Sequence, residues 1–290
     1  MKLPTLISLV LLVITSGVSC AVNPATQSAT DPLESLESQT LYHPRSYDAG
    51  DVDGFLHDGG IQLDYKTSQG KQSAWLVIPA HGVKPERLWI VAGGNGALAL
   101  DMVPICQASG LKKDAFVFVD YPGYGLCEGK CSPESVRENV KGSMQTAAAK
   151  TGIDVQHKPQ LVSALGHSLG CAAALFAVEE FHLKSAVLCS PFTSSKEMAE
   201  LRVGLSKDAP FRHQFDNRIG LQSLKGDKGH AWIIHGSDDE IIPVEMSKTM
   251  AAEFPGVVKL QVIKDAHHND IFIVGSKEIM KAMAEARVAD

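Results

Sequence analysis

Short apolar runs recur along the chain, separated by longer stretches of mixed polarity. Ile61 to Tyr65 alternates apolar and polar positions, Gly70 offers a turn, and Ala74 to Ile78 returns, which predicts a hairpin within residues 54–79. Six later runs follow, most of them apolar on both faces: Leu88 to Ala92, Ala115 to Val119, Leu161 to Leu165, Ser185 to Leu188, Ala231 to Ile234 and Val258 to Ile263. A strand that buries both faces reads this way, and such strands are parallel ones covered by helices. Helices are expected near 98–109, 133–151, 169–182, 244–254 and 275–288, the second opening on Ser132-Pro133-Glu134 with a cap and a proline in the first turn. The alternation predicts one α/β domain, a doubly wound, mostly parallel sheet with helices on both faces. Ligands of such sheets bind beyond the carboxyl ends of the strands.

The chemistry-bearing residues fall at those ends. Gly166-His167-Ser168-Leu169-Gly170 joins the apolar run 161–165 to an alanine-rich segment, so it reads as strand, sharp turn, helix. Its G-x-S-x-G spacing is that of a nucleophile elbow, in which a strained serine stands clear of the sheet and crowding demands small residues two positions away on either side. Ser168 is the candidate nucleophile. The amide of Leu169, at a helix N-terminus, can meet an oxyanion. After the run ending at Ala92 comes Gly93-Gly94-Asn95-Gly96, whose backbone could approach a ligand; the amide of Asn95 is the candidate second oxyanion donor, with Gly96 the alternative.

A carboxylate is expected in His235-Gly236-Ser237-Asp238-Asp239-Glu240, with Asp239 preferred and Asp238 second; His235 is read as closing its strand. A base is expected in Asp265-Ala266-His267-His268-Asn269-Asp270, with His268 preferred and His267 the alternative. His167 is expected to shape the pocket, and the remaining histidines, His213 among them, to hold surface or packing roles. Asp120-Tyr121-Pro122-Gly123-Tyr124-Gly125 reads as a structural turn in the wall of the site; it lacks the spacing and the Lys-Ser/Thr of a phosphate loop. The order Ser168, Asp239, His268 is that of the α/β-hydrolases, unlike that of chymotrypsin or subtilisin.

Taken together, Asp120-Tyr121-x-Gly123-Tyr124-Gly125, Gly166-His167-Ser168-Leu169-Gly170, His235-Gly236-x-x-Asp239-x-x-x-Pro243 and His268-Asn269-Asp270 resemble the serine-hydrolase branch of the α/β-hydrolase superfamily. That branch includes membrane-associated acyl-protein thioesterases (depalmitoylases), monoacylglycerol-lipase-like enzymes and serine aminopeptidase-like members. The resemblance runs from about residue 60 to the end. It implies an α/β-hydrolase domain over 41–290, with a small cap insert at about 191–229 whose Phe192, Met198, Leu201, Phe211 and Phe215 could face an apolar acyl group. Two positions depart from the family pattern: Gly93-Gly94 stands where His-Gly usually precedes the asparagine, and Pro122 stands in place of an arginine. Both alter the pocket wall and leave the triad untouched.

Composition adds a location. Met1-Lys2 followed by an apolar run from Leu6 to Val18, shorter than the roughly 18 residues of a spanning helix, reads as a secretory signal over 1–19. A small residue before Cys20 resembles the bacterial lipoprotein processing site, which would lipidate Cys20; simple cleavage near Ala21 or an uncleaved anchor are the alternatives. Residues 20–40, rich in Ser, Thr, Gln and Pro, are expected to be a flexible tether. The expected location is therefore the bacterial cell envelope, lipid-anchored on the periplasmic or extracellular side, or else secreted. Cys127 and Cys131 could close a small disulfide there, whereas Cys171 and Cys189 read as buried apolar residues. A net charge of −6 without a basic patch argues against nucleic acid as a partner. No metal-ligand spacing is present and no cofactor is expected. The expected activity is hydrolysis of a small or lipid-like acyl ester or thioester; the alternatives are a serine peptidase and a hydrolase-fold binding protein.

Overall fold

The computed structural model describes residues 32–80 and 83–288. The first part of the chain supplies α1 (Pro32–Leu41), α2 (Ala49–His57), β1 (Ile61–Thr67), β2 (Gly70–Val77), β3 (Arg87–Ala92), a 3-10 turn (Ala99–Met102), α3 (Val103–Ala108), β4 (Asp114–Val119) and α4 (Pro133–Thr151). The rest supplies β5 (Val162–His167), α5 (Leu169–Phe181), β6 (Ser185–Cys189), α6 (Ser195–Val203), α7 (Asn217–Gly226), β7 (His230–Gly236), α8 (Val244–Glu253), β8 (Val258–Ile263), α9 (Ile271–Val274) and α10 (Ser276–Val288). The eight strands form one sheet in the order β1-β2-β4-β3-β5-β6-β7-β8. β2 is antiparallel to both its neighbours and the remaining pairs are parallel.

Side chains alternate across a strand, so each apolar run feeds two cores. On β3, Leu88, Ile90 and Ala92 join the core that also holds residues of α4 and α5, while Trp89 and Val91 join the other, which holds residues of α3 and α10. On β4, Ala115, Val117 and Val119 take the first side, Phe116 and Phe118 the second. The strand order reverses at β3, which pairs with β4 on one edge and β5 on the other, with Ala92 in register with Gly166. The segments leaving those two strands, Gly93 to Gly96 and Ser168, therefore emerge side by side at the point where doubly wound sheets bind ligands.

Three expectations change. The leader, Cys20 and the tether through Asp31 lie outside the described residues, but 32–40, placed by composition in the flexible tether, belong to helix α1 (Pro32–Leu41). Glu37 is buried there and its Oε2 accepts from the backbone N–H groups of Arg212 (2.8 Å) and His213 (2.9 Å). The partner lies more than 170 residues away, so local composition could not announce it. The insert 191–229 divides: Leu221 and Leu224 of α7 belong to the main core and Gly220 backs directly onto Leu175 of α5, which makes α7 a sheet-covering helix. Only the first half of the insert is left for the site. Finally, Cys127 and Cys131 are buried free thiols. The Cys127 Sγ donates to the Ser73 carbonyl at 3.3 Å, and burial pushes its thiol up to about 12.

Helix α5 lies against β3 because Gly170 carries no side chain. A methyl group there would stand 2.1 Å from the Ala92 carbonyl oxygen. Gly170→Ala must push strand and helix apart and is expected to cost about 1–3 kcal/mol, the usual price of overpacking. Gly54, inside α2, faces open space, and Gly54→Ala is expected to stabilise by about 0.5–1 kcal/mol. Urea midpoints of the two variants, read at constant m-value, check the opposite signs.

Candidate active site

Ser168 occupies the turn between β5 and α5 with φ 55° and ψ −121°, a left-handed conformation that a residue with a Cβ adopts only under constraint. The constraint is visible on both sides. The Ser168 N–H donates to the Cys189 carbonyl at 2.9 Å, and its carbonyl accepts from Cys171 N–H at 3.0 Å. A Cβ on Gly166 would stand 2.3 Å from the Gly170 carbonyl oxygen, so the two flanking glycines are required by each other's approach and by β3.

The acid-bearing loop follows β7. Asp239 is buried, and its carboxylate accepts three hydrogen bonds and lies against a second imidazole. Oδ1 accepts from the N–H groups of Ile241 (3.0 Å) and Ile242 (2.7 Å); Oδ2 accepts from His268 Nδ1 (2.8 Å) and lies 3.2 Å from His235 Nε2. Burial alone would raise its pKa, but the contacts with His235, His268 and Ile242 outweigh it and hold the carboxyl well below the usual range. Because a carboxylate only accepts, His268 carries its proton on Nδ1, which leaves Nε2 as the basic nitrogen. Asp238, by contrast, is exposed and accepts from the Ser237 hydroxyl. His267 is exposed and pairs with Glu240, whose carboxylate raises its pKa. The arrangement joins His268 to Asp239 and leaves the two alternatives at the surface.

His235 was expected only to close its strand. It is fully buried beneath the acid: Nε2 donates to the Ile242 carbonyl (2.8 Å) and lies 3.2 Å from Asp239 Oδ2, and Nδ1 accepts from the Ser247 hydroxyl (2.6 Å). His213 is a buried packing residue, and its Nδ1 meets the Tyr42 hydroxyl at 2.9 Å in the interior. His167 lies as expected in the pocket wall. Its Nε2 donates to the His268 carbonyl at 3.2 Å, and burial together with the neighbouring His268 lowers its pKa to about 4, so it stays neutral near pH 7.

Ser168 and His268 line one cavity of about 470 Å³, together with Gly94, Asn95, Gly96 and Leu169. Leu41, Phe192, Met198, Ile241 and Ile242 supply its apolar wall. Of the five cap residues expected to face an acyl group, Phe192 and Met198 line the cavity; Phe211 and Phe215 are buried outside its lining and Leu201 points to solvent. Leu41 and Arg45 in the wall were not anticipated, because they come from a segment with no periodic pattern. The Asp120 turn is structural, as expected. Its carboxylate is buried and accepts from Tyr47 Oη (2.6 Å), Ala99 N (2.8 Å) and Trp75 Nε1 (2.9 Å), while Tyr121 donates to the Gly93 carbonyl.

Sheet order, elbow and loop positions define the α/β-hydrolase fold, and comparison with known proteins agrees. A Pyrococcus furiosus esterase superposes with a TM-score of 0.62 at 16% identity, covering 85% of this chain and 96% of its own. The esterase domain of a Rhodothermus marinus protein gives 0.58 at 16% identity, covering 79% and 98%. In sequence, human alpha/beta hydrolase domain-containing protein 17C is 25% identical over 152 residues, 52% of this chain and 43% of that protein. An uncharacterized protein of Mycobacterium tuberculosis is 23% identical over 251 residues, 86% of each chain. The chain spans about half the length of the first group of curated relatives it matches. No protein-family model matches.

The low pKa of His167 has a measurable consequence. An unfolded histidine takes its proton near pH 6.5, the folded one only near 4. Between those values the unfolded state binds more protons, so stability falls as pH drops through that window. His167→Gln removes this contribution, and its unfolding free energy is expected to fall by about 1–2 kcal/mol less than the wild type's between pH 7 and pH 5. Denaturant titrations at the two pH values check it.

Proposed function

We propose that this protein is a serine hydrolase that cleaves carboxylic ester or thioester bonds through an acyl-enzyme. The supporting observation is the buried Asp239–His268 pair opening onto the cavity that Ser168, on its strained turn, also lines. The Ser168 Oγ attacks the acyl carbon while its proton passes to His268 Nε2. Asp239 holds the ring in the tautomer that can accept it and stabilises the imidazolium. The oxyanion of the tetrahedral intermediate lies against the amides of Leu169 and Asn95. Collapse breaks the bond to the leaving oxygen or sulfur, which takes the proton from His268. Water then attacks the acyl-enzyme with His268 as base, releasing the acid and returning a proton to Ser168. Every step uses side chains and amides of this chain.

The wall formed by Leu41, Phe192, Met198, Ile241 and Ile242 favours an apolar acyl group. The structural neighbours from Rhodothermus marinus and Pyrococcus furiosus are esterases, which supports ester chemistry. The leader and Cys20 support a place at the cell envelope, anchored by lipid and facing lipid-like substrates.

Fluorophosphonate labelling and hydrolysis of an ester and thioester series test the proposal. Ser168→Ala and His268→Ala should abolish labelling and lower kcat by about 10⁴-fold or more, and Asp239→Asn by about 10⁴-fold, with each variant still folded. A folded wild type that neither labels nor hydrolyses any member would return the chain to the binding-protein reading; peptide cleavage alone would make it a peptidase. Met198→Trp narrows the apolar wall and should lower the ratio of kcat/KM for long over short acyl esters by about tenfold.

A further inference from the structure

The loop Gly93-Gly94-Asn95-Gly96 must hold an amide still enough to meet a developing charge, yet three of its four residues are glycines. Its shape is imposed from outside. The Leu41 carbonyl accepts from Asn95 Nδ2 at 3.1 Å. The His43 N–H donates to the Asn95 carbonyl at 3.2 Å and to the Tyr124 hydroxyl at 2.8 Å, and that hydroxyl donates to the same Asn95 carbonyl at 2.6 Å. Arg45 Nη1 donates to the Gly96 carbonyl at 3.0 Å and to Asp101 Oδ2 at 3.1 Å, while the Arg45 carbonyl accepts from Gly125 N–H at 2.8 Å. Residues 41, 43 and 45 thus each grip the loop.

These contacts hold Asn95 by its side chain and carbonyl and Gly96 by its carbonyl, while the Gly94–Asn95 peptide, which carries the donor N–H, is turned by a bond within the loop. The Asn95 and Gly96 carbonyls are drawn toward the gripping segment. The Gly94 carbonyl accepts from Ala97 N–H at 3.1 Å. In a trans peptide the N–H points opposite to the carbonyl, so the Asn95 N–H faces away from that turn. The same loop abuts the nucleophile, since a methyl on Gly94 would lie 3.4 Å from Ser168 Cβ. The gripping segment is itself fixed at its other end, where Glu37 and Tyr42 bind the backbone of residues 212–213 and the ring of His213.

We propose that residues 41–45 form a strap that positions the Asn95 amide as the second oxyanion donor, with Arg45 and Tyr124 as positioning residues. The proposal rests on the serine-hydrolase reading above. The strap holds the amide in place before the charge develops, so it acts on the transition state and not on substrate binding.

The test uses the full-length chain and the variants Arg45→Ala, Arg45→Lys and Tyr124→Phe, with Ser168→Ala as reference. Steady-state ester hydrolysis is measured beside inhibition by a trifluoromethyl ketone, whose adduct with serine places an oxyanion in the same hole. Arg45→Ala and Tyr124→Phe should each lower kcat by about tenfold with KM within about twofold, and raise the inhibitor's Ki by the same factor as kcat falls. Arg45→Lys, which keeps a donor for the Gly96 carbonyl, should recover most of both. Folded variants with wild-type kcat and Ki would overturn the strap. A raised KM with kcat intact would make Arg45 a substrate contact and overturn its positioning role. If wild-type turnover does not depend on Ser168, the hydrolase reading itself falls; if it does and the variants behave as wild type, only the strap falls.

Discussion

A carboxylate taken out of water needs partners for its oxygens, and Asp239 has two backbone amides and two imidazoles against them. The rest of the site follows from that satisfaction. The amides of Ile241 and Ile242 come from the loop the acid itself begins, so the loop is shaped around the charge. His235 anchors the acid to the end of β7, and its other nitrogen is tied to Ser247 of α8. What remains of the acceptor capacity faces His268, which must therefore present Nδ1 inward and its other nitrogen outward. Full satisfaction is what makes a buried polar network specify one arrangement, because any partner lost leaves a charge without compensation.

The second constraint is steric and meets the first at the carboxyl edge of the sheet. Gly166 and Gly170 let β5, α5 and the end of β3 approach within distances that no side chain tolerates. The closeness forces Ser168 into its left-handed conformation, and the adjacent strands hold it there through the Cys189 carbonyl. Strain at one residue persists because a whole layer of strand–helix packing over-determines it. The reversal of strand order at β3 then delivers the glycine loop to the same spot. Ser168, His268 and the glycine loop therefore line one cavity at that edge.

Arg45 and Leu41 show a different kind of dependence. They belong to a segment that is neither strand nor helix beyond Leu41, and they enter the cavity wall only because the preceding helix is fastened to residues 212–213. The apolar wall is likewise composite, drawn from α1, α6 and the loops after β6 and β7. Such a wall can change by replacement of any one contributor while Asp239, His268 and Ser168 stay where the sheet puts them.

Much of this was legible in the sequence because it is local. An alternating hairpin and the apolar runs after it marked the eight strands. The capped Ser132-Pro133 start marked α4 to the residue, and glycine spacing around Ser168 marked the elbow. The choice of Asp239 over Asp238 and of His268 over His267 came from motif spacing, and the burial of one member of each pair and exposure of the other agrees with it. What the sequence could not carry were interactions whose partners lie far along the chain. Residues 32–40 read as a tether because Glu37 finds its donors more than 170 residues later. Cys127 and Cys131 read as a possible pair because nothing local showed Ser73 beside Cys127. His235 read as a strand end although its partner stood four residues away, since only the folding of that loop turns the acid back over the ring. Periodicity, caps and tight turns are fixed by neighbours within a few residues and can be read in order. Which buried polar group finds which partner is decided only when the chain closes on itself, because desolvation acts on the finished interior and not on the segment.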